Sequence, residues 1–266
     1  MHCETLSIEN SVEDKSAESM VAQRRLLSIK GEPLFLADWL RPVFVHYEVP
    51  AQTLQRDVPF ALDLHDGKAY VSLVAFTMRR MRPFRGGKFT EWFLKPIANN
   101  HFLNVRTYVR HRGEPGIYFL TEWMNNPLSV RLGPWTFGLP YRFGELHYQH
   151  PHKEGKLNGT VREKLRAPSF SYEGNLTGPT FAPCTSGSLD EFLLERYTAF
   201  TSHGNKCRFF RIWHEPWKQQ SIQVSVSDTR LLQNVWPWFA DAKLVGANYS
   251  PGAHDVWMGR PHRLAD

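Results

Sequence analysis

From Leu34 onward, short runs of alternating or continuous apolar residues recur between clusters of Gly, Pro and Asn, the pattern of β-strands. Over residues 43–49, Val43, Val45, Tyr47 and Val49 alternate with Phe44, His46 and Glu48. Residues 69–78 are apolar on both faces, as a strand covered on both sides would be. Residues 103–110 set Leu103, Val105, Thr107 and Val109 against Asn104, Arg106, Tyr108 and Arg110. Further strands are predicted over 116–123, 141–148, 159–165, 207–214 and 221–227. Their number and spacing predict one closed or strongly curved sheet rather than βαβ units. The Pro- and Gly-containing stretch 167–187 reads as a long connection.

One helix stands out. Ser188 and Glu191 have the spacing of a capping box, and Leu189, Phe192, Leu193 and Phe200 then fall largely on one face. A second helix is predicted over 228–239, disturbed near its end by Pro237. Residues 1–25 read as a poorly ordered polar tail, leaving 26–266 as a single, mainly β (α+β) domain. Glu4, Glu9, Glu13, Asp14 and Glu18 interrupt that tail, so an ordinary secretory signal is not expected. No apolar run reaches the ~20 residues of a membrane helix.

Composition sharpens the setting. Hydrophobic residues make up 42% of the 266 and aromatic residues 14%, enough to build a sizeable core. Cys3, Cys184 and Cys207 lie at distant spacings that form no disulfide framework, which fits a reducing cytoplasm. Lys and Arg outnumber Asp and Glu by 32 to 26, and part of the excess lies in Arg79, Arg80, Arg82, Arg85 and Lys88. Such a cluster attracts phosphates, but no nucleic-acid-binding module accompanies it, and Pro83, Gly86 and Gly87 mark a solvated turn. No Gly-x-Gly-x-x-Gly, Walker loop, His-Glu-x-x-His or Gly-x-Ser-x-Gly is present. His147, His150 and His152 cluster around Pro151 at a spacing that matches no metal motif, and neither a metal nor a cofactor is expected.

Five segments in order, FLADWLRPVFVHYEVP (35–50), YVSLVAFTM (70–78), NVRTYVR (104–110), GIYFLTEW (116–123) and NYSPGAHDVWMGRPHRL (248–264), resemble the YqjF-like family, domain of unknown function 2071. The resemblance spans roughly residues 34–264. That family is related in fold to acetoacetate decarboxylase, which implies a twisted, cone-like β-barrel with a central pocket and a few peripheral helices. The decarboxylase forms a Schiff base on a Lys kept unprotonated by its surroundings, within a Gly-x-Pro-Lys-Lys stretch. The corresponding residues here are Gly138, Leu139, Pro140, Tyr141 and Arg142. Neither Lys is matched: a phenol makes no imine, and a guanidinium stays protonated. The resemblance therefore argues against Schiff-base decarboxylation at this position. Lys95 lies in another segment, between Leu94 and Pro96, and nothing marks it as a replacement for the missing Lys.

The expected ligand is a small, anionic organic molecule. Arg106 and Arg142 are the candidate anion anchors, Asn104 and Tyr141 the hydrogen-bonding partners of a carbonyl, and Glu122 a base or orienter. Glu122 and Tyr141 are the catalytic candidates if there is turnover. Two alternatives stay open for the face of Asn104, Arg106 and Tyr108: the lumen of a barrel, or wet surface. For Glu122, a rim salt bridge competes with a buried general base. An enzyme and a non-catalytic binding or sensor protein would share the same pocket. Related folds assemble into oligomers, but nothing in the sequence specifies an interface.

Overall fold

A long first strand organises the fold. In the computed structural model, which describes residues 18–86, 90, 92, 94–204 and 206–264, β1 (Phe35–Val49) pairs along its whole length with β3 (Ala69–Pro83). Its other edge is shared between two strands. The first half pairs with β15 (Gly252–Met258) and the second with β14 (Lys243–Tyr249). The change of partner falls at Arg41 and Pro42, where Arg41 has φ +51° and the register with β3 shifts. Such a bulge bends a strand and increases its twist.

Beyond β3 lie β4 (Asn100–His111) and β5 (Glu114–Met124). The pairing continues through β10 (Thr198–His203) and β11 (Lys206–Trp213) back to β15. It closes on itself as β1–β3–β4–β5–β10–β11–β15. Shorter strands extend this sheet: β2 (Ala61–Leu62), β6 (Tyr141–Phe143), β12 (Gln220–Ser221) and β16 (His262–Arg263). A second, antiparallel sheet is formed by β7 (Glu145–Gln149), β8 (Glu154–Arg162), β9 (Ser169–Thr177) and β13 (Val224–Asp228).

The two faces of the large sheet bury two different cores. Val43, Val45, Leu73, Leu103, Val105 and Trp123 pack against Leu146, Leu157, Val161 and Phe170 of the second sheet. On the opposite face Phe44, Val74, Phe76, Phe102, Phe119, Phe210 and Ile212 form the other core. That two-sided burial explains why residues 69–78 are apolar throughout, each of them being buried. It also settles the alternation in β4. Leu103, Val105 and Val109 face the second sheet, while Asn104, Arg106 and Tyr108 point into the ring and not to solvent.

Several sequence expectations are corrected. The helix capped by Ser188, α3 (Leu189–Leu194), does have its Glu191 amide bonded to Ser188 Oγ at 3.2 Å. It ends far short of Phe200, which lies in β10. The predicted helix over 228–239 is α4 (Arg230–Val235), followed by a separate 3-10 turn that begins at Pro237. The stretch 167–187 contains β9, a central strand of the second sheet. Residues 18–27, partly within the expected tail, form helix α1, with Leu26 fully buried; residues 1–17 lie outside the described residues. Helix α2 (Pro127–Thr136) was not expected, because Pro127, Gly133 and Pro134 obscure its periodicity. The Asn-Pro pair is nevertheless a helix start. Asn126 Oδ1 accepts from the amides of Leu128 and Ser129 at 3.0 and 3.1 Å, and Pro127 occupies the first turn, where it needs no donor. Among the described residues no helix is long and apolar enough to cross a membrane.

Candidate functional site

Three polar side chains meet in one row across the ring. Asn104 of β4 is the register partner of Glu122 on β5, and Glu122 is in turn the partner of Tyr141 on the parallel strand β6. Register partners project to the same side of a sheet. All three line a cavity of about 310 Å³. Its other walls are almost wholly apolar, including Phe76, Phe102, Met124, Phe137, Phe210 and Met258, with α2 closing one side through Ser129, Leu132 and Gly133.

Glu122 faces the cavity because of a bulge. The register between β4 and β5 shifts between Val105 and Arg106, so that Val105 opposes Thr121 while Arg106 opposes Phe119. Simple alternation would put Glu122 on the side of Leu120 and Tyr118; the extra residue brings it to the side of Phe119 and Ile117. There it is 3% exposed and, among the described residues, has neither an ion pair nor a side-chain hydrogen bond. Burial pushes its carboxyl up to about 8, against a smaller opposing pull from Arg106. At pH 7 most of it is a neutral carboxylic acid, able to donate a hydrogen bond. The expected rim salt bridge is not formed.

Tyr141 is set by the segment that precedes it. Gly138, at φ +74°, stops α2, its amide reaching the Gly133 carbonyl at 3.2 Å. The Pro140 carbonyl then accepts from the Glu122 amide at 3.1 Å and from Thr121 Oγ1 at 3.0 Å, which fixes the strand beside Glu122. The ring lies against Gly133, where an added Cβ would sit 2.2 Å from a ring carbon. Burial and the neighbouring Glu122 carboxyl hold the phenol well above its usual range, so it too is a donor. Gly133→Ala should therefore displace the ring and cost about 1–3 kcal/mol, although alanine is the better helix former. Chemical denaturation together with a ligand titration checks this; unchanged values in both would contradict the packing.

Arg142 is not part of the site. Successive residues on a strand face opposite sides, so Tyr141 and Arg142 cannot both enter the cavity. The Arg142 side chain lies over the Trp123 ring on the outer face and pairs with Glu163 at 3.0 Å. Trp123 Nε1 donates to the same Glu163 oxygen at 3.1 Å. The expected anion anchor is an outer-face ion pair.

Arg106 occupies a narrow extension of the cavity, about 20 Å³, with Arg196 and His214. Trp39, Phe76, Asn104, Phe119 and Ile212 wall both spaces, so the two adjoin. Arg106 is 7% exposed, and its Nη2 donates to the Leu193 carbonyl at 3.0 Å. Its Nε and Asn104 Oδ1 are buried without a partner, and among the described residues no carboxylate pairs with the guanidinium. Arg196, by contrast, is neutralised by Asp63 at 2.9 Å. Sequence patterns gave no sign of Arg196, His214 or the apolar walls as site residues, because a lining Phe or Met looks like any core residue.

A second polar chain lies deeper. Asn248 Nδ2 donates to Gln219 Oε1 at 2.7 Å, which leaves its Oδ1 to accept from His46 Nε2 at 2.9 Å; His46 Nδ1 then accepts from the Ser72 hydroxyl at 2.7 Å. Tyr108 OH lies within bonding distance of both Ser72 Oγ and the Leu193 carbonyl, the latter at 2.8 Å, and its single proton serves one of the two. This Ser-His-Asn order has the form of a nucleophile with its base, but Ser72 is 0% and His46 1% exposed. No substrate carbonyl can reach Ser72. Burial pushes His46 down to about 3, and the chain serves as a satisfied polar brace.

Of the other candidates, His150 has both ring nitrogens engaged, by the Arg41 carbonyl and the Tyr172 hydroxyl. In the basic cluster Arg80 pairs with Asp38 at 2.6 Å and Arg82 with Asp255, while Lys88 lies outside the described residues.

The architecture is that of acetoacetate decarboxylase. The enzyme from Legionella pneumophila is similar with a TM-score of 0.61 and 13% identity, the match covering 88% of each chain. The enduracididine biosynthesis enzyme MppR, solved in complex with pyruvate, is similar with a TM-score of 0.61 and 14% identity over 88% of this chain and 91% of its own. At such identities the likeness speaks for the fold alone. The sequence model of DUF2071, an uncharacterized conserved protein family, matches residues 36–251. The uncharacterized protein YqjF of Bacillus subtilis (strain 168) is 30% identical over 196 residues, 71% of this chain and 76% of that protein. The chain belongs to the DUF2071 family. Among the described residues no lysine lines the cavity, and Tyr141 stands in the row beside Glu122.

Proposed function

We propose that this protein binds a small anionic organic molecule in the ring cavity. One observation carries the reading: Arg106 is a buried cation that has no carboxylate partner among the described residues, set beside the cavity. A guanidinium stays charged at any physiological pH, and an uncompensated buried charge costs several kcal/mol. An anionic group of the ligand would supply the missing partner. The similarly folded MppR binds pyruvate, an organic anion, which supports the same charge of ligand. A cytoplasmic setting belongs to this reading.

Asn104 and Tyr141 would hold a carbonyl of the bound molecule, with Glu122 between them. A carboxylic acid poised near neutrality in a largely apolar cavity can give or take a proton, which favours acid–base chemistry as a second reading. With no lysine among the described lining residues, an imine-forming decarboxylation is not part of the proposal.

Calorimetric titration with a panel of keto and hydroxy acids tests the reading. Arg106→Gln should weaken an acid that binds by at least about tenfold, the loss of one charge-assisted bond. Equal affinity in the variant would contradict the anion site. Turnover lost in Glu122→Gln or Tyr141→Phe, with binding kept, would establish catalysis. Binding without turnover in the parent protein would make it a binding or sensor protein.

A further inference from the structure

We infer that the ligand is a monocarboxylate carrying a bulky apolar tail, its head in the Arg106 extension and its tail in the large cavity. The inference rests on the anion-binding reading above and adds the ligand's shape. The two adjoining spaces, which share Asn104 and four apolar walls, differ sharply in size and chemistry. The extension, at about 20 Å³, has room for little more than one small group, and it holds the one guanidinium of the pair that lacks an acid. Since Arg196 is already paired with Asp63, which it shares with the more exposed Arg110, Arg106 is the guanidinium of the extension that has no carboxylate partner among the described residues. One planar carboxylate matches that charge and that space. A phosphate, larger and more highly charged, does not.

The large cavity is built for something else. At about 310 Å³ it falls at the lower end of the range of pockets that hold drug-sized molecules. Arg106 does not line it. A three-carbon acid seated at Arg106 would leave this space to water, yet walls such as Phe102, Met124, Phe210 and Met258 offer water no partners. A hydrocarbon or aryl tail would fill it, passing Asn104 at the junction and reaching Glu122 and Tyr141. A carbonyl or hydroxyl on the tail, beyond the carboxylate, would meet those two donors.

A homologous series separates this inference from the reading beneath it. Straight-chain acids from acetate to octanoate, 3-phenylpropanoate and pyruvate would be titrated calorimetrically into the full chain, alongside methyl octanoate. The expected result is a Kd that falls about fourfold per methylene until the cavity is full, following the free energy of burying each CH₂. The ester, which lacks the charge, should bind at least about tenfold more weakly than the acid, and Arg106→Gln should erase that difference. Because the ester comparison needs no variant, the result stands even if Arg106→Gln fails to fold. If pyruvate and acetate bind as tightly as octanoate, the tail is overturned and the anion site survives. If no acid binds, or acid and ester bind alike, both readings fall.

Discussion

Glu122→Gln is expected to make the folded protein more stable at pH 9, on the order of 4 kcal/mol, while changing little at pH 4. The sign follows from linkage. Unfolded, the carboxyl titrates at its ordinary value of 4.5; folded, burial raises it to about 8. Its stabilising contribution is complete below pH 4.5, because both states hold the proton, and it is lost as pH rises through 8. Each unit of difference is worth about 1.4 kcal/mol, which sets the size of the effect. Gln has nearly the same shape and no charge to bury. The buried His46, pushed down to about 3, and His150 and His214, pushed down to about 4, act on the acid side instead. Their contribution is present above pH 6.5 and lost below it, in both proteins. Urea denaturation of the pair at pH 4, 7 and 9 isolates the Glu122 term by difference. Parallel stability curves would show that this carboxyl is not sheltered.

Asp63→Ala should destabilise the fold by about 3–5 kcal/mol, the usual cost of stranding a buried charge. Asp63 is 8% exposed and accepts from Arg196 at 2.9 Å and from Arg110 at 3.0 Å. Arg196 is itself 9% exposed, with its guanidinium 4.2 Å from the Phe192 ring centroid. Without Asp63, Arg196 joins Arg106 as a second uncompensated cation on the same narrow space. Adding Arg196→Met removes the stranded charge and fills its volume, so the double variant should recover most of the loss. Denaturant midpoints of the two single variants and the double variant check this. Additive losses would mean that the two residues do not act as a pair. Because Asp63 keeps Arg196 paired, Arg106 is, among the described residues, the only unpaired guanidinium facing the extension.

The strand pattern was legible wherever one period of alternation held without interruption. In β3 and β4 the apolar runs marked position, and Asn104 and Arg106 could be picked out as one side of a strand, although alternation left open whether that side met a lumen or solvent. Facing was lost where the backbone adds a residue. Nothing in GIYFLTEW announces the bulge at Leu120, so whether Glu122 points inward depends on pairing with β4 and not on its own segment. The opposite error arose at Tyr141 and Arg142. A motif correspondence nominated both, whereas alternation alone allows only one of two neighbours to enter a cavity. Helix α2 was not visible in the sequence because Pro127, Gly133 and Pro134 interrupt its apolar period. Gly133 is there because the Tyr141 ring occupies the space of a side chain, a tertiary reason that no local pattern records. The apolar cavity walls were the least visible part, since burial against a void and burial against a neighbour select the same side chains.

Asn104, Glu122 and Tyr141 form a polar row in a largely apolar pocket within the strand ring. Carbon-13 NMR of the Glu122 side-chain carboxyl, assigned by loss of its signal in Glu122→Gln, measures that shelter directly across a pH titration of the unliganded protein. A midpoint near 8 is the predicted result. A midpoint near 4.5, the value of a carboxyl in open water, would mean the row is solvated and would remove the basis for the site.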